Sequence, residues 1–184
     1  MQAVFLGLPL QGTEKKRFSQ MHSELSGLHL PATLQKADTP HITLRYFGEV
    51  SFLRLETIKN VAKDFVAKEK PFEAKISGVD YFGLKKRRRV VWMPISSYGS
   101  RIVGLQNRLE SCLQEIGFSL EVRDYNPHFT VARVKKMENF APFEPQMEEI
   151  IKKYEFNLQA DRVTLYGMQD NIHQMPLAEF KFGG

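Results

Sequence analysis

Two histidines and two threonines recur in one pattern, Pro40-His41-Ile42-Thr43-Leu44 and Pro127-His128-Phe129-Thr130-Val131. In a β-strand, residues two apart share a face, so each copy presents an imidazole beside a hydroxyl while the intervening apolar residue faces the core. An imidazole serves near neutral pH as either base or acid, so a pair of them accepts and donates protons within one reaction. Phosphodiester cleavage needs that pairing: a water is deprotonated on one side of phosphorus while the departing alkoxide is protonated on the other. Charge grows meanwhile on the non-bridging oxygens, where the hydroxyls of Thr43 and Thr130 are placed to donate hydrogen bonds. A single His-x-Thr would mean little, because threonine is a good strand former. Two copies, each opened by proline and each starting an apolar strand, carry weight as a repeat.

The remaining histidines have blander settings. His22 lies on a helix between its apolar and polar faces, and His29 and His173 are expected in loops. The sequence lacks a Gly-x-x-x-x-Gly-Lys phosphate loop, a Gly-x-Gly-x-x-Gly turn and a Gly-x-Ser-x-Gly elbow, leaving nucleotide-fold and serine-hydrolase chemistry without support. Two histidines with no third His, Cys, Asp or Glu at a familiar ligand spacing argue against zinc, so the expectation is no metal and no cofactor.

Hydrophobic residues make up 42% and charged residues 26% of the 184-residue chain, ordinary globular usage that is expected to form one bilobed domain over residues 1–184. The net charge of +5 is local, because the run Lys85-Lys86-Arg87-Arg88-Arg89 supplies five of the 26 basic residues against 21 acidic ones. The single Cys112 forms no internal disulfide and reads as core filler. The segment from Met1 to Pro9 lacks a basic leader and is too short for a bilayer, so no membrane and a cytoplasmic location are expected.

The histidines need elements to hold them. Residues Ala3 to Leu8 suit a buried strand, and Thr13 is placed to cap a helix with Phe18, Met21, Leu25 and Leu28 inward, ended at Gly27. His29 to Thr39 reads as a loop into the first His-x-Thr strand. Ser51 can cap a second helix with Leu55, Ile58, Ala62 and Phe65 inward. Phe72 to Val79 and Arg89 to Ile95 read as a hairpin, with Gly83 and the basic run at its tip. A third helix from Ser100 shares Ile102, Leu105, Leu109, Cys112 and Ile116 on one stripe before Gly117. The second His-x-Thr strand follows to about Val134, then a short helix over Met147 to Lys152 and strands near Phe156 to Tyr166 and Leu177 to Phe182. The order predicts an α+β fold of two pseudo-symmetric α/β lobes, their antiparallel sheets flanking a central cleft.

These motifs resemble the 2H phosphoesterase superfamily, named for two His-x-Thr-x motifs. Within it, His41-Ile42-Thr43-Leu44-Arg45-Tyr46-Phe47-Gly48-Glu49 and His128-Phe129-Thr130-Val131-Ala132-Arg133 are similar to the RNA 2′,3′-cyclic phosphodiesterases, a group also known as 2′-5′ RNA ligase. The likeness takes in the motif separation, the strand at Arg89-Val90-Val91-Trp92 and essentially the whole chain. It implies a hydrolase, independent of metal, that opens 2′,3′-cyclic phosphates of RNA ends or small nucleotides to 2′-phosphomonoesters. In the family the first-motif histidine is the proton donor and the second the acceptor. Carried over, His41 protonates the departing 3′ oxygen and His128 activates water, with Thr43, Thr130 and Arg133 on the phosphate. Run backwards, the same groups would join a cyclic phosphate end to a 5′-hydroxyl as a 2′-5′ bond.

Strict alternation puts Arg133 on the face opposite His128 and Thr130, so a bulge or strand end must turn it inward. Arg45 has the parity of His41 and Thr43 but could equally pair with a carboxylate. Tyr46, Phe47 and Trp92 could stack on a base, yet are assigned to the core by default. The Lys85 to Arg89 run is either an RNA-attracting patch or a solvated tip. The alternatives to an enzyme are a nucleotide-binding module of the same fold and an RNA-binding factor built on the basic hairpin, which charge reversal at Arg87 and Arg88 would disable. A monomer is expected.

Overall fold

The computed structural model describes residues 1–84, 90–121, 124–169 and 173–184. Its elements run β1 (Gln2–Pro9), α1 (Gly12–Gly27), β2 (Ala32–Leu34), β3 (His41–Val50), α2 (Phe52–Val66), β4 (Phe72–Ile76) and β5 (Asp80–Phe82). There follow β6 (Val90–Ser97), α3 (Gly99–Glu115), β7 (His128–Val134), α4 (Met137–Phe140), a 3-10 turn at Ala141–Phe143, α5 (Glu144–Lys152), β8 (Phe156–Ala160), β9 (Arg162–Gln169) and β10 (His173–Lys181). One unit occurs twice: strand, helix, histidine strand, helix, as β1-α1-β3-α2 and again as β6-α3-β7-α5.

The strands order as β10-β9-β1-β3-β7-β6-β4-β8, with β2 added on β7 and β5 on β6. Every pairing is antiparallel, and the two histidine strands are central neighbours. A pseudo-twofold between β3 and β7 relates β1 to β6, β9 to β4 and β10 to β8. The α+β architecture of two related lobes is thus as expected.

Helices close the apolar side. Phe18, Met21 and Leu25 of α1, Ile58 and Ala62 of α2, and Ile102, Leu105 and Leu109 of α3 are buried against Ile42 and Phe129 from the histidine strands. Phe18 meets Phe129 edge-on with centroids 5.1 Å apart. Each such side chain contributes about 1.5–3 kcal/mol of burial, so the strands are anchored by the residues between their functional ones.

Several expectations change. Thr13 does not cap α1; Gln11 holds that position without a side-chain bond, whereas Ser51 does cap α2, accepting from the Arg54 N–H at 3.3 Å. The stretch from His29 to Thr39 is not all loop, since β2 pairs with β7 there. Val79 lies outside β4; the expected pairing of that strand with β6 is present at Lys75 and Ile76, and β5 adds to β6 nearer the tip, with Phe82 opposite Val90. Ile116 leaves the core stripe at the helix end and is 40% exposed. His173 begins β10 rather than lying in a loop. Cys112 packs partly buried against the core. The Lys85 to Arg89 run lies outside the described residues.

Candidate active site

The histidine strands touch at one backbone pair, Ile42 opposite Phe129. Antiparallel partners count in opposite directions, so His41 stands across from Thr130 and Thr43 across from His128. The strands splay on either side of that waist, opening a cleft with two ends. One end, about 690 Å³, is lined by His41, Thr130 and Arg133; the other, about 780 Å³, by His128, Phe82 and Tyr125. Thr43 and Tyr46 line both, so the two hollows adjoin at these residues. Each imidazole thus lines its own hollow, near enough to the other that the charge of His128 acts on His41.

Both rings are held the same way. His41 Nδ1 donates to the Thr39 carbonyl at 2.7 Å, and His128 Nδ1 donates to the Asn126 carbonyl at 2.8 Å. A carbonyl only accepts, so Nδ1 carries the proton and Nε2 of each neutral ring is left as an acceptor. Among the described residues neither Nε2 has a hydrogen-bond partner.

The settings of the rings differ. His41 is 7% exposed, with Phe5 at 4.7 Å and Tyr166 at 5.0 Å between ring centroids. Burial drives its pKa down to about 4 against the bond to Thr39, and the charges of Arg133 and His128 push the same way. His128 is less buried, with Phe82 edge-on at 4.8 Å and Trp92 at 5.8 Å; burial, then Arg133, lowers its pKa as well. The same burial pushes the Tyr166 phenol up to about 12.

Distant residues set the carbonyls. Gln35 Nε2 donates to the Thr39 carbonyl at 3.2 Å and to Gln174 Oε1 at 3.1 Å, and the Thr39 hydroxyl donates to Gln174 Oε1 at 3.2 Å. On the other side the Tyr125 hydroxyl donates to the Thr43 carbonyl at 2.8 Å, tying the segment before His128 to the opposite strand.

Arg133 does turn inward, by the bulge its parity required. Trp92 pairs with Thr130 while the next residue, Val91, pairs with Ala132, so Val131 is the extra residue. Val131 and Ala132 are both buried, and Arg133 returns to the cleft face. The same event occurs in β3: Gly7 pairs with Thr43 and Leu6 with Arg45, leaving Leu44 as the extra residue. Arg45 follows the extra residue yet still borders the His128 hollow, and of the two readings offered for it the pairing with carboxylates is the one the structure shows. Its guanidinium ion-pairs with Glu110 at 3.2 Å and Glu121 at 3.6 Å and donates to the Ser119 carbonyl at 2.8 Å. The Glu110 contact lacks hydrogen-bond alignment, as Nη1 is buried without a directed partner.

The default assignment of the aromatics to the core holds for Trp92, 6% exposed and stacked on Phe82, and in part for Phe47, which packs on Phe118. It fails for Tyr46, which is 51% exposed in the cleft. His22 bonds within its own helix to Ser26, and His29 bonds locally to the Gly27 carbonyl, as their blander reading required. No group of three or more His, Cys, Asp or Glu among the described residues is arranged to hold a metal ion.

Residues 3–171 match the family model described as 2'-5' RNA ligase superfamily. The chain belongs to that superfamily. The resemblance carried by its two motifs, and the enzyme class that resemblance named, are borne out. A curated relative from Methanothermobacter thermautotrophicus, named RNA 2',3'-cyclic phosphodiesterase, is 32% identical over 136 residues, 74% of this chain and 73% of that one. One of the same name from Geobacillus stearothermophilus is 26% identical over 95% of this chain, which spans 54% of that longer protein. Among solved structures, a Thermus thermophilus protein matches with a TM-score of 0.75 at 16% identity, covering 99% of this chain and 98% of that one. Escherichia coli LigT complexed with 3'-AMP matches with a TM-score of 0.71 at 18% identity, covering 100% and 99%. At those identities the structures bear on the fold alone.

Proposed function

We propose that this protein hydrolyses 2′,3′-cyclic phosphates of RNA ends or small nucleotides to 2′-phosphomonoesters, using His41 and His128 as its proton-transfer pair. The observation that carries the reading is the pair of imidazoles in two adjoining hollows that share Thr43 and Tyr46, each with Nδ1 committed to a carbonyl and Nε2 free. The names of the curated relatives support the substrate class.

In this reading the phosphate sits at the waist, its non-bridging oxygens taking hydrogen bonds from Thr43 and Thr130 and facing the Arg133 guanidinium. His128 Nε2 takes a proton from water, the hydroxide adds to phosphorus, and the bond to the 3′ oxygen breaks as His41 Nε2 gives that oxygen a proton. Atoms and charge balance with water as the sole co-reactant. Burial keeps His41 neutral in the empty cleft, so its proton is held in place by the bound phosphate anion, whose charge opposes that shift. With a 5′-hydroxyl in place of water, His128 taking its proton and His41 again protonating the 3′ oxygen, the product is a 2′-5′ bond; in water hydrolysis dominates. We place the protein, with its single cysteine, in a reducing cytoplasm and take it to act as a monomer; among the described residues no helix is long and apolar enough to cross a membrane.

The test is incubation of cyclic-phosphate-ended RNA with the protein, with and without a chelator, followed by identification of the phosphate position. The expected outcome is a 2′-phosphate at an unchanged rate under chelation. A 3′-phosphate would overturn the donor and acceptor roles, a requirement for divalent metal would overturn the mechanism, and binding without turnover would favour the non-catalytic module.

A further inference from the structure

The two hollows differ in charge. The His41 hollow is lined by two cations, Lys36 and Arg133, and, among the described residues, by no carboxylate. The His128 hollow carries Glu121 and Asp124, and its cation, Arg45, is already paired with Glu110 and Glu121. A polyanion entering the cleft is therefore drawn to one end and repelled from the other. Arg133 has a place in the proposed reaction, facing the cyclic phosphate, whereas Lys36 has none. It follows Gln35, whose N–H donates to the Val131 carbonyl at 2.8 Å, which sets Lys36 against the strand that carries Thr130 and Arg133. Lys36 is half-buried, and among the described residues it has neither an ion-pair partner nor a hydrogen bond.

We propose that Lys36 is a substrate-contacting specificity residue, its ammonium pairing with the phosphodiester immediately 5′ to the cyclic-phosphate nucleotide, so that RNA ends are preferred over free cyclic mononucleotides. The inference rests on the proposed function and goes beyond it by deciding between the two substrate classes and giving the RNA chain a direction through the cleft. That direction follows from the reaction. Displacement at phosphorus is in line, so with water at His128 the departing 3′ oxygen, and the ribose that bears it, lie on the His41 side. Every nucleotide further 5′ hangs from that ribose, and the hollow it enters is the cationic one. At about 690 Å³ that hollow has the volume of a site for a drug-sized ligand, more than one ribose cyclic phosphate fills. An ammonium with no partner gains an anion there without giving up an existing contact.

The experiment compares kcat/KM for adenylyl-(3′→5′)-adenosine 2′,3′-cyclic phosphate with that for adenosine 2′,3′-cyclic phosphate. In Lys36→Ala the preference for the dinucleotide is expected to fall about three- to fivefold, the size of one exposed ion pair, while Lys36→Arg keeps most of it. The salt dependence of the preference should flatten by about 0.7 in log-log slope, the share of one phosphate contact on a single strand. With the linking phosphate replaced by a neutral methylphosphonate, wild type and Lys36→Ala are expected to show the same preference. An unchanged preference in Lys36→Ala, a loss of equal size in Lys36→Arg, or a loss of equal size on the methylphosphonate substrate overturns the proposal. If the wild-type protein turns over neither substrate, it is the function reading that fails. Calorimetric binding of adenylyl-(3′→5′)-adenosine 2′-phosphate relative to adenosine 2′-monophosphate then decides on Lys36: a lower preference in Lys36→Ala supports the contact, and an equal one overturns it.

Discussion

His41 combines two demands that pull against each other, a buried ring and, in the proposed reaction, a proton to give. Its folded pKa of about 4 lies below the unfolded value of 6.5, so between those values the folded protein binds fewer protons than the unfolded chain. The stabilisation is therefore fully present above pH 6.5 and is lost as pH falls through about 4. With the ring only 7% exposed, solvent screening is small and the linkage is on the order of 3 kcal/mol. Denaturant titrations at pH 7 and pH 4 are expected to show His41→Phe losing less stability than wild type over that interval, and equal losses would mean the ring is not held neutral. At this scale the sequence was readable where chemistry is local: His41, Thr43, His128 and Thr130 follow from residue type and strand period. The aromatic walls were not, because Phe5 and Tyr166 reach His41 from separate strands with no shared local pattern.

Among the elements, the bulges decide what the cleft contains. Alternation left both Arg45 and Arg133 conditional, because one extra residue flips every later side chain and costs the sequence only two apolar residues in succession, as at Val131-Ala132. That doublet was the available signal for Arg133; Tyr46 had the matching one in Leu44 followed by a residue tied to α3. The approach of β1 to His41 is equally tight. A Cβ on Gly7 would lie 3.0 Å from the Ile42 carbonyl and 3.3 Å from His41 Cδ2, and Trp92 holds the corresponding place beside His128. Gly7→Ala should displace the His41 ring and lower kcat roughly tenfold while the protein stays folded by circular dichroism; an unaltered kcat would show that the ring position is not critical. Gln174, from β10, acts on the same histidine through Thr39. Gln174→Ala is expected to reduce kcat roughly threefold to tenfold, whereas Gln174→Glu, which keeps the acceptor for Gln35 and the Thr39 hydroxyl, should stay closer to wild type. Equal effects of the two in steady-state kinetics would argue that Gln174 does not position Thr39. No property of Gln174 in the sequence announces this role, since its partners lie 135 and 139 residues away.

Taken as a whole, the molecule is a duplicated unit whose halves meet at a shared waist, so the proposed site draws on both repeats. The α+β order, the two lobes and the central pairing of the histidine strands follow from the repeat. The terminal pair β9 and β10, the short β2 and β5, and the tie from Arg45 to α3 come from long-range packing that period and composition do not encode. The account therefore stands on cooperation between two residues 87 positions apart in the chain, calculated as 128 minus 41. Its most direct measurement is single-turnover cleavage of adenosine 2′,3′-cyclic phosphate by His41→Ala, His128→Ala and the double variant, each checked for folding. The account predicts that each single change lowers the rate about a hundredfold or more, and that the double variant is little worse, because the pair acts as a unit. Near-wild-type turnover in either single variant, or losses that multiply in the double one, would contradict it.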